Sequence, residues 1–402
     1  MTQRIIIAGS GFAGLWAAIS ASRAIAMAGK EDEIEVVMVS PSATLAIRPR
    51  LYEAVLENMN PDIKAVLDTI GTRHIAGAVD GFDADRKTVL IAHNDGTRET
   101  LAYDRFVLAT GSRLFTPPIP GLADHGFNVD TLQAAEKLDA HLKALPHAAP
   151  SAARNTVVVA GGGFTGLEGA TEMPERLRAI FGPEADFRVV IVDPAAEIGA
   201  EMGAAVVPVV REALDELGIE RRTGVRVTAV DADGVTLSDG ERIAASTVVW
   251  TAGMRAHSLA SLVPGQHDVL GRVVGDAFLR APEADGIFVT GDMVKAATDD
   301  LGNFAAMSCQ HALSLGRVAG HNAAAELVGL PTHPYSQPKY VTCLDLGSWG
   351  ALYTEGWDRQ ISLVRGEGKK VKQEINQVWI YPPAADRDAM FAVANPDFVI
   401  VP

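Results

Sequence analysis

Short, wholly apolar runs closed by glycine punctuate this chain, and two of them open the same series of elements. The first, Arg4-Ile5-Ile6-Ile7-Ala8, predicts a strand. It passes through Gly9-Ser10-Gly11-Phe12-Ala13-Gly14 into an Ala-rich stretch that predicts a helix to about residue 28. A second strand follows over 34–39. Thr88-Val89-Leu90, the turn Asn94-Asp95-Gly96 and the strand Phe106-Val107-Leu108-Ala109, ending at Thr110-Gly111, complete the unit.

The second series opens with Thr156-Val157-Val158-Val159-Ala160 and passes through Gly161-Gly162-Gly163-Phe164-Thr165-Gly166 into another helix. A strand over 188–192 follows. Val235-Thr236-Leu237, the turn Ser238-Asp239-Gly240 and Val248-Val249-Trp250, ending at Thr251-Ala252-Gly253, repeat the earlier order. This self-similarity reads as a duplicated dinucleotide-binding unit. Between the copies stand a predicted helix over 132–145 and the Pro/Ala linker 146–151. Beyond them come a buried-looking strand, Ile287-Phe288-Val289-Thr290, then Gly291-Asp292, and a predicted helix over 308–328 ended by Pro331, Pro334 and Pro338. The last 60 or so residues read as strands with turns, most clearly at 340–346, 350–353 and 378–381.

The glycine loops carry the first chemistry. One Gly-x-Gly-x-x-Gly pattern is weak, but here each copy directly follows an apolar strand and precedes a helix. The first glycine (Gly9, Gly161) permits the tight turn, and the second (Gly11, Gly163) lets the backbone approach a pyrophosphate. The third (Gly14, Gly166) lets helix and strand pack closely. The helix N-terminus then offers free N–H groups to the phosphates. At the end of the following strand, where ribose is read, the second unit has Asp193 and the first has the neutral Ser40. A carboxylate there repels a 2′-phosphate by roughly 4 kcal/mol at about 4 Å and an effective dielectric near 20, which favours NADH over NADPH. Asp193 has a plainer alternative, as the start of a turn before Pro194.

Size and charge narrow the setting. A chain of 402 residues exceeds the roughly 250–300 at which a single core stops growing, so more than one domain is expected. The net charge of -15 opposes nucleic acid and anionic membrane as partners. No secretory signal is visible, and the most apolar helix candidate, over 15–28, is too short to span a bilayer. Cys309 and Cys343 are the only cysteines, which fits a reducing compartment, and the cytoplasm is the expected location. No metal site is predicted.

The segments 9–14, Leu108-Ala109-Thr110-Gly111, 161–168, Trp250-Thr251-Ala252-Gly253 and 287–292 occur in the order seen in the pyridine-nucleotide flavoprotein reductases. Gly161 to Glu168 and Arg50-Leu51-Tyr52-Glu53 resemble most the type II NADH:quinone dehydrogenases and their soluble relatives. The resemblance covers roughly residues 4–330. It implies an α/β protein of two Rossmann-like domains, the second inserted in the first, with a small C-terminal α+β domain. The expected bounds are 1–125 with 257–330 for an FAD-binding domain, 126–256 for an NAD-binding domain, and 331–402 for an acceptor site or dimer interface. FAD is expected against the first loop, with Ala109, Thr110, Gly111, Gly291 and Asp292 beside it. Asp292 would accept a hydrogen bond from the ribityl chain. NADH is expected against the second loop and Gly253. The sequence departs from the family at Ser40, which replaces the usual acid, and at Cys309, where many relatives have alanine. It also lacks the C-terminal amphipathic helices that anchor respiratory members to the membrane, so no stable anchor is expected.

Within this scheme the flavin supplies the redox chemistry and the protein supplies orientation and electrostatics. The helix starting near Ser308 would stabilise charge on the flavin, with Gln310 and His311 in its first turn. His311 can equally be a packed helix residue. Glu168 resembles the glutamate that faces flavin and nicotinamide in the type II dehydrogenases, or is simply an acid favoured near a helix start. Arg48 and Arg50 either contact FAD or an anionic acceptor, or tie their loop down. Cys309 reads as filler. With no cysteine before position 309, a disulfide-reductase mechanism is excluded. The expected reaction passes hydride from NADH to FAD and electrons to a quinone-like small acceptor. The alternatives are a reductase of a small electron-carrier protein and a slow-turnover NADH-responsive flavoprotein with a binding role. Tyr335, Tyr340, Trp349 and Trp357 could line an acceptor site or a dimer interface, though such aromatics are more often core.

Overall fold

A computed structural model describes residues 2–400. The chain opens with β1 (Gln3–Ala8), α1 (Phe12–Met27), β2 (Ile34–Ser40), α2 (Lys64–Thr69) and β3 (Arg73–Asp83). It continues with β4 (Thr88–His93), β5 (Arg98–Ala102), β6 (Arg105–Leu108) and β7 (Ser112–Leu114). The next stretch holds α3 (Leu122–His125), β8 (Gly126–Phe127), α4 (Leu132–Ala144), β9 (Thr156–Ala160), α5 (Phe164–Phe181), β10 (Arg188–Asp193) and α6 (Val206–Glu216). Then come β11 (Ile219–Thr223), β12 (Val227–Asp231), β13 (Gly234–Leu237), β14 (Arg242–Ala244), β15 (Thr247–Trp250) and β16 (Met254–Ala256). The remainder is β17 (Val273–Val274), β18 (Ile287–Val289), β19 (Val294–Lys295), α7 (Cys309–Val328), β20 (Val341–Asp345), β21 (Ala351–Glu355), β22 (Gln360–Val364), α8 (Arg365–Glu374) and α9 (Arg387–Val393).

Two sheets carry the organisation. One has the order β18-β6-β1-β2-β3-β4-β5, parallel from β18 to β3; the other, β11-β10-β9-β15-β8, is parallel throughout. β9 and the Ile5–Ala8 part of β1 are buried and, Thr156 apart, aliphatic, as strands covered on both faces must be. β18 returns to pair with β6 after the whole second sheet has been made. The two chain crossings between the sheets run side by side, since β7 pairs antiparallel with β16. In each sheet the order reverses beside the first strand, and there ligands of open α/β sheets bind.

Small residues bring α7 against α1. A Cβ on Gly316 would lie 2.4 Å from the carbonyl oxygen of Ala13, and one on Gly320 would lie 2.0 Å from that of Ala17. This backbone contact sets the N-terminus of α7 beside that of α1. Ser308 caps α7, its hydroxyl accepting from the His311 amide at 3.3 Å.

The C-terminal region differs from the strands expected of it. β20, β21 and β22 form an antiparallel sheet near the first two predicted positions. Residues 378–381 are not a strand: α8 continues into a π-helical turn, Ile375–Trp379. Val378 and Trp379 are 63% and 53% exposed, so their apolar character reflects no core-facing edge. Lys372 and Asn376, one helical turn apart, are buried and bond into the body of the protein, which fixes this segment as helix.

Candidate active site

Gly9 and Gly14 are held by the chain itself. Gly9 has φ +105°, and a Cβ on it would meet the Ala109 carbonyl oxygen at 2.5 Å; a Cβ on Gly14 would meet the Gly9 oxygen at 1.9 Å. Gly11 differs. It is the N-cap of α1 in an ordinary extended conformation, and a Cβ there would meet nothing within 4 Å. The loop is therefore tight where it packs and open where a pyrophosphate would approach. No side chain caps α1 and no acid lies in its first turn, leaving its amides free for an anion.

This loop forms one wall of a cavity of about 490 Å³, within the range of small-molecule and cofactor sites. Phe12, Ala13 and Ser40 line it, as do Ala109, Thr110 and Gly111. Gly291 and Asp292 close another side, and Met307, Ser308 and Cys309 bring in the start of α7. Thr165, Trp250 and Thr251 reach it from the second unit. These residues fit a dinucleotide carrying an isoalloxazine ring.

Asp292 lies in the 3-10 turn Gly291–Met293 that follows β18, and Ser112 donates to its Oδ2 at 2.5 Å. Burial pushes its carboxyl above the usual range, against the lowering by Ser112, Arg48 and Arg272. Arg48 lines the same cavity, donates to the Ser112 carbonyl at 3.1 Å and pairs with Asp130, bridging the two units. Arg50 does not line it: its guanidinium bonds Glu53, at 2.7 Å from one nitrogen, and the Tyr381 hydroxyl. At Ser40 the missing acid is replaced by a hydroxyl bonded to the Ser42 carbonyl at 2.7 Å and to His74 Nε2 at 2.9 Å. Burial pushes the Cys309 thiol up, which keeps it protonated beside the cavity.

In the second loop, Cβ atoms on Gly161 and Gly166 would strike the Thr251 hydroxyl at 2.8 Å and the Gly161 carbonyl at 1.8 Å. Phe164 and Thr165 begin α5, whose N-cap is Gly163. Asp193, at the end of β10, accepts from the amides of Gly162 at 2.6 Å and Ala195 at 2.8 Å, so it organises both the loop and the turn after it. Gly253, with φ +85°, stands against Phe115 where the chain leaves β15.

Glu168 lies in the second turn of α5, not at its start, and is buried. Its Oε1 accepts from Lys372 Nζ at 2.7 Å and from the Asp345 amide at 3.2 Å. Burial pushes the Glu168 carboxyl up, and Lys372 offsets only part of the rise. Burial also opposes charge on Lys372, but Glu168, with Cys343 and Asp345, outweighs it and raises that ammonium's pKa. Asp345 takes a bond from the Tyr52 hydroxyl at 2.9 Å and another from Lys369 at 2.6 Å. Asn376 reaches Glu53 at 2.9 Å. One buried polar network thus joins α5, the loop after β2, β20 and α8.

Lys372, Lys369 and Asp345 were not singled out from the sequence as site residues, and Tyr52 entered only within Arg50-Leu51-Tyr52-Glu53; for the lysines the signal was Lys369, Lys372 and Asn376 at helical spacing, in a segment read as strand and turn. Gln310 is half-buried, its Nε2 donating to the Val341 carbonyl at 3.3 Å and its Oε1 accepting from Gln337 at 3.3 Å. His311 is wholly buried, Nδ1 on the Ser308 hydroxyl and ring against Tyr340, with centroids 4.9 Å apart. Tyr335, Tyr340 and Trp349 are buried, and Trp357 stacks on Tyr340. Among the described residues no helix is long and apolar enough to cross a membrane, and no cluster of His, Cys, Asp and Glu could hold a metal ion.

Two sheets with parallel strands at their centres, each opening a glycine loop at a helix N-terminus, with residues of both units around one cavity, define a pyridine-nucleotide-dependent oxidoreductase. The profile of the pyridine nucleotide-disulphide oxidoreductase family matches residues 3–316, and the chain belongs to that family. It is 43% identical over 397 residues to an NADH dehydrogenase-like protein of Mycobacterium tuberculosis, covering 98% of both chains. It is 30% identical to the demethylphylloquinone reductase of Synechocystis, over 87% of this chain and 86% of that one. Its fold matches that of NDH2 from Plasmodium falciparum in complex with NADH, with TM-score 0.74, 14% identity, and coverage of 98% and 97%. The protein is an NAD(P)H-dependent flavoprotein oxidoreductase.

Proposed function

We propose that this protein oxidises NADH through FAD held on the first loop and passes the electrons to a quinone-like small acceptor. The observation that carries the reading is the single cavity: the Gly9–Gly14 loop, Asp292 and the start of α7 meet Thr165 and Thr251 of the second unit around it. Two dinucleotides bound one to each loop would bring their reactive ends together there. The names of the demethylphylloquinone reductase and of the type II NADH:quinone oxidoreductases to which the chain is similar support the acceptor class.

FAD, when bound, supplies the hydride-accepting chemistry. The free amides at the N-terminus of α1 would hold its pyrophosphate, and Asp292 would take a ribityl hydroxyl. The N-terminus of α7, beside Met307 and Ser308, would favour negative charge at the ring. Asp193 would read the ribose of NADH and disfavour a 2′-phosphate. The Glu168–Lys372 pair, reached from the loop by one turn of α5, would hold a proton near the acceptor. The domain bounds 1–125 with 257–330, 126–256 and 331–402 follow the same assignment.

Steady-state NADH oxidation by the flavin-loaded protein against quinones, dyes, dioxygen and small electron-carrier proteins tests the reading. Quinones should be reduced fastest. Turnover with a carrier protein alone, quinones being inert, would replace it.

A further inference from the structure

The two glycine loops are not equally open. Above Gly11 a Cβ would meet nothing within 4 Å, but above Gly163 it would meet Glu201 Oε1 at 2.6 Å. Glu201 belongs to the 3-10 turn Ala200–Met202, flanked by Gly199 (φ +78°) and Gly203 (φ +105°), two glycines in the left-handed region that shape the turn. The residue reaches the surface, while burial of its carboxyl against the loop, and the Asp193 carboxylate beside it, push that carboxyl above the usual range. Gly163 is the N-cap of α5, which has no side-chain cap and no acid in its first turn. The free carboxylate thus stands beside uncapped amides that suit an anion, in the direction from which a pyrophosphate would approach. Asp193 adds a second carboxylate, bonded to the Gly162 amide at 2.6 Å. The first loop has the neutral Ser40 at the matching position.

We infer that Glu201 is an affinity-setting residue for the nicotinamide dinucleotide: it stands in for the pyrophosphate when the second loop is empty and competes with it on binding. This rests on assigning NADH to the second loop. The difference between the loops matches their duties. A flavin stays through every cycle, whereas a nicotinamide dinucleotide must arrive and leave each time, and tight uniform binding would slow its departure without speeding the chemistry. An acid at the second loop shortens the residence of its ligand while the open first loop retains the flavin.

Calorimetric titration of the flavin-loaded protein with ADP-ribose, which carries the pyrophosphate but no redox-active ring, tests the inference apart from turnover. Glu201→Gln should bind ADP-ribose about five-fold more tightly at low ionic strength. The gain should fall below about two-fold at 1 M salt, where the Debye length is about 3 Å. Glu201→Ser, which removes the carboxylate altogether, should repeat the result. Unchanged or weakened binding in both variants overturns the inference, as does a gain indifferent to salt. Failure of wild type and variants alike to bind ADP-ribose overturns the second-loop assignment itself, and the role of Glu201 with it.

Discussion

The Glu168 carboxylate and the Lys372 ammonium, 204 positions apart in the chain, form a 2.7 Å ion pair with each side chain less than a tenth exposed. The contact fastens α8 of the C-terminal region to α5 of the second unit. Removing one partner leaves a buried charge without compensation, so Lys372→Met should cost about 3 kcal/mol of stability. Pairing it with Glu168→Gln should recover a large part of that loss. Chemical denaturation of the flavin-loaded proteins measures the cycle, and strictly additive losses would show that the two residues do not act as a pair.

Gly11 and Gly14 should respond oppositely to the same substitution. Gly14→Ala puts a methyl 1.9 Å from a backbone oxygen and should prevent or severely weaken folding. Gly11→Ala meets no protein atom and keeps an allowed φ of -64°, so the chain should fold yet retain less flavin. Circular dichroism melts and the ratio of flavin to protein absorbance separate the two effects. Full flavin occupancy in Gly11→Ala would remove this loop from the cofactor site.

NADH should reduce the flavin more efficiently than NADPH, because of Asp193. Asp193→Ser should narrow the preference by about tenfold, on the order of 1.4 kcal/mol. Stopped-flow flavin reduction with both cofactors measures it. Equal use of NADH and NADPH by the wild type would reduce Asp193 to its structural bonds with Gly162 and Ala195.

His311 should make the protein acid-sensitive. Burial, followed by Arg359 and Arg272, pulls its imidazole down to about 3 in the folded state. The unfolded chain, with an ordinary value near 6.5, then binds the proton first. Its contribution is intact above that ordinary value and is lost as pH falls from it toward the folded one, by about 2 kcal/mol at pH 5. His311→Asn should flatten this part of the profile. Denaturation midpoints at pH 7.5 and 5 for both proteins check it, and parallel losses in the two would place the acid sensitivity elsewhere.

The duplicated architecture is legible along the chain. Gly9-Ser10-Gly11 after Ile5-Ile6-Ile7, and its echo at 161–163 after Val157-Val158-Val159, are local patterns in which strand, turn and helix start lie within a dozen residues. Local patterns survive in one dimension, and so do the cap at Ser308 and the acid at Asp193. Tertiary structure alone decided what faces what. It buried Lys372 against Glu168, set Arg48 rather than Arg50 on the cavity, and laid Glu201 over Gly163. It also turned residues 378–381 into a helical end, because the buried anchors Lys372 and Asn376 outweigh the β-propensity of four apolar residues. Those partners come from elements dozens to hundreds of residues apart, and no spacing along the chain encodes a distance between side chains that only the packing of α5, α8 and the two sheets brings together.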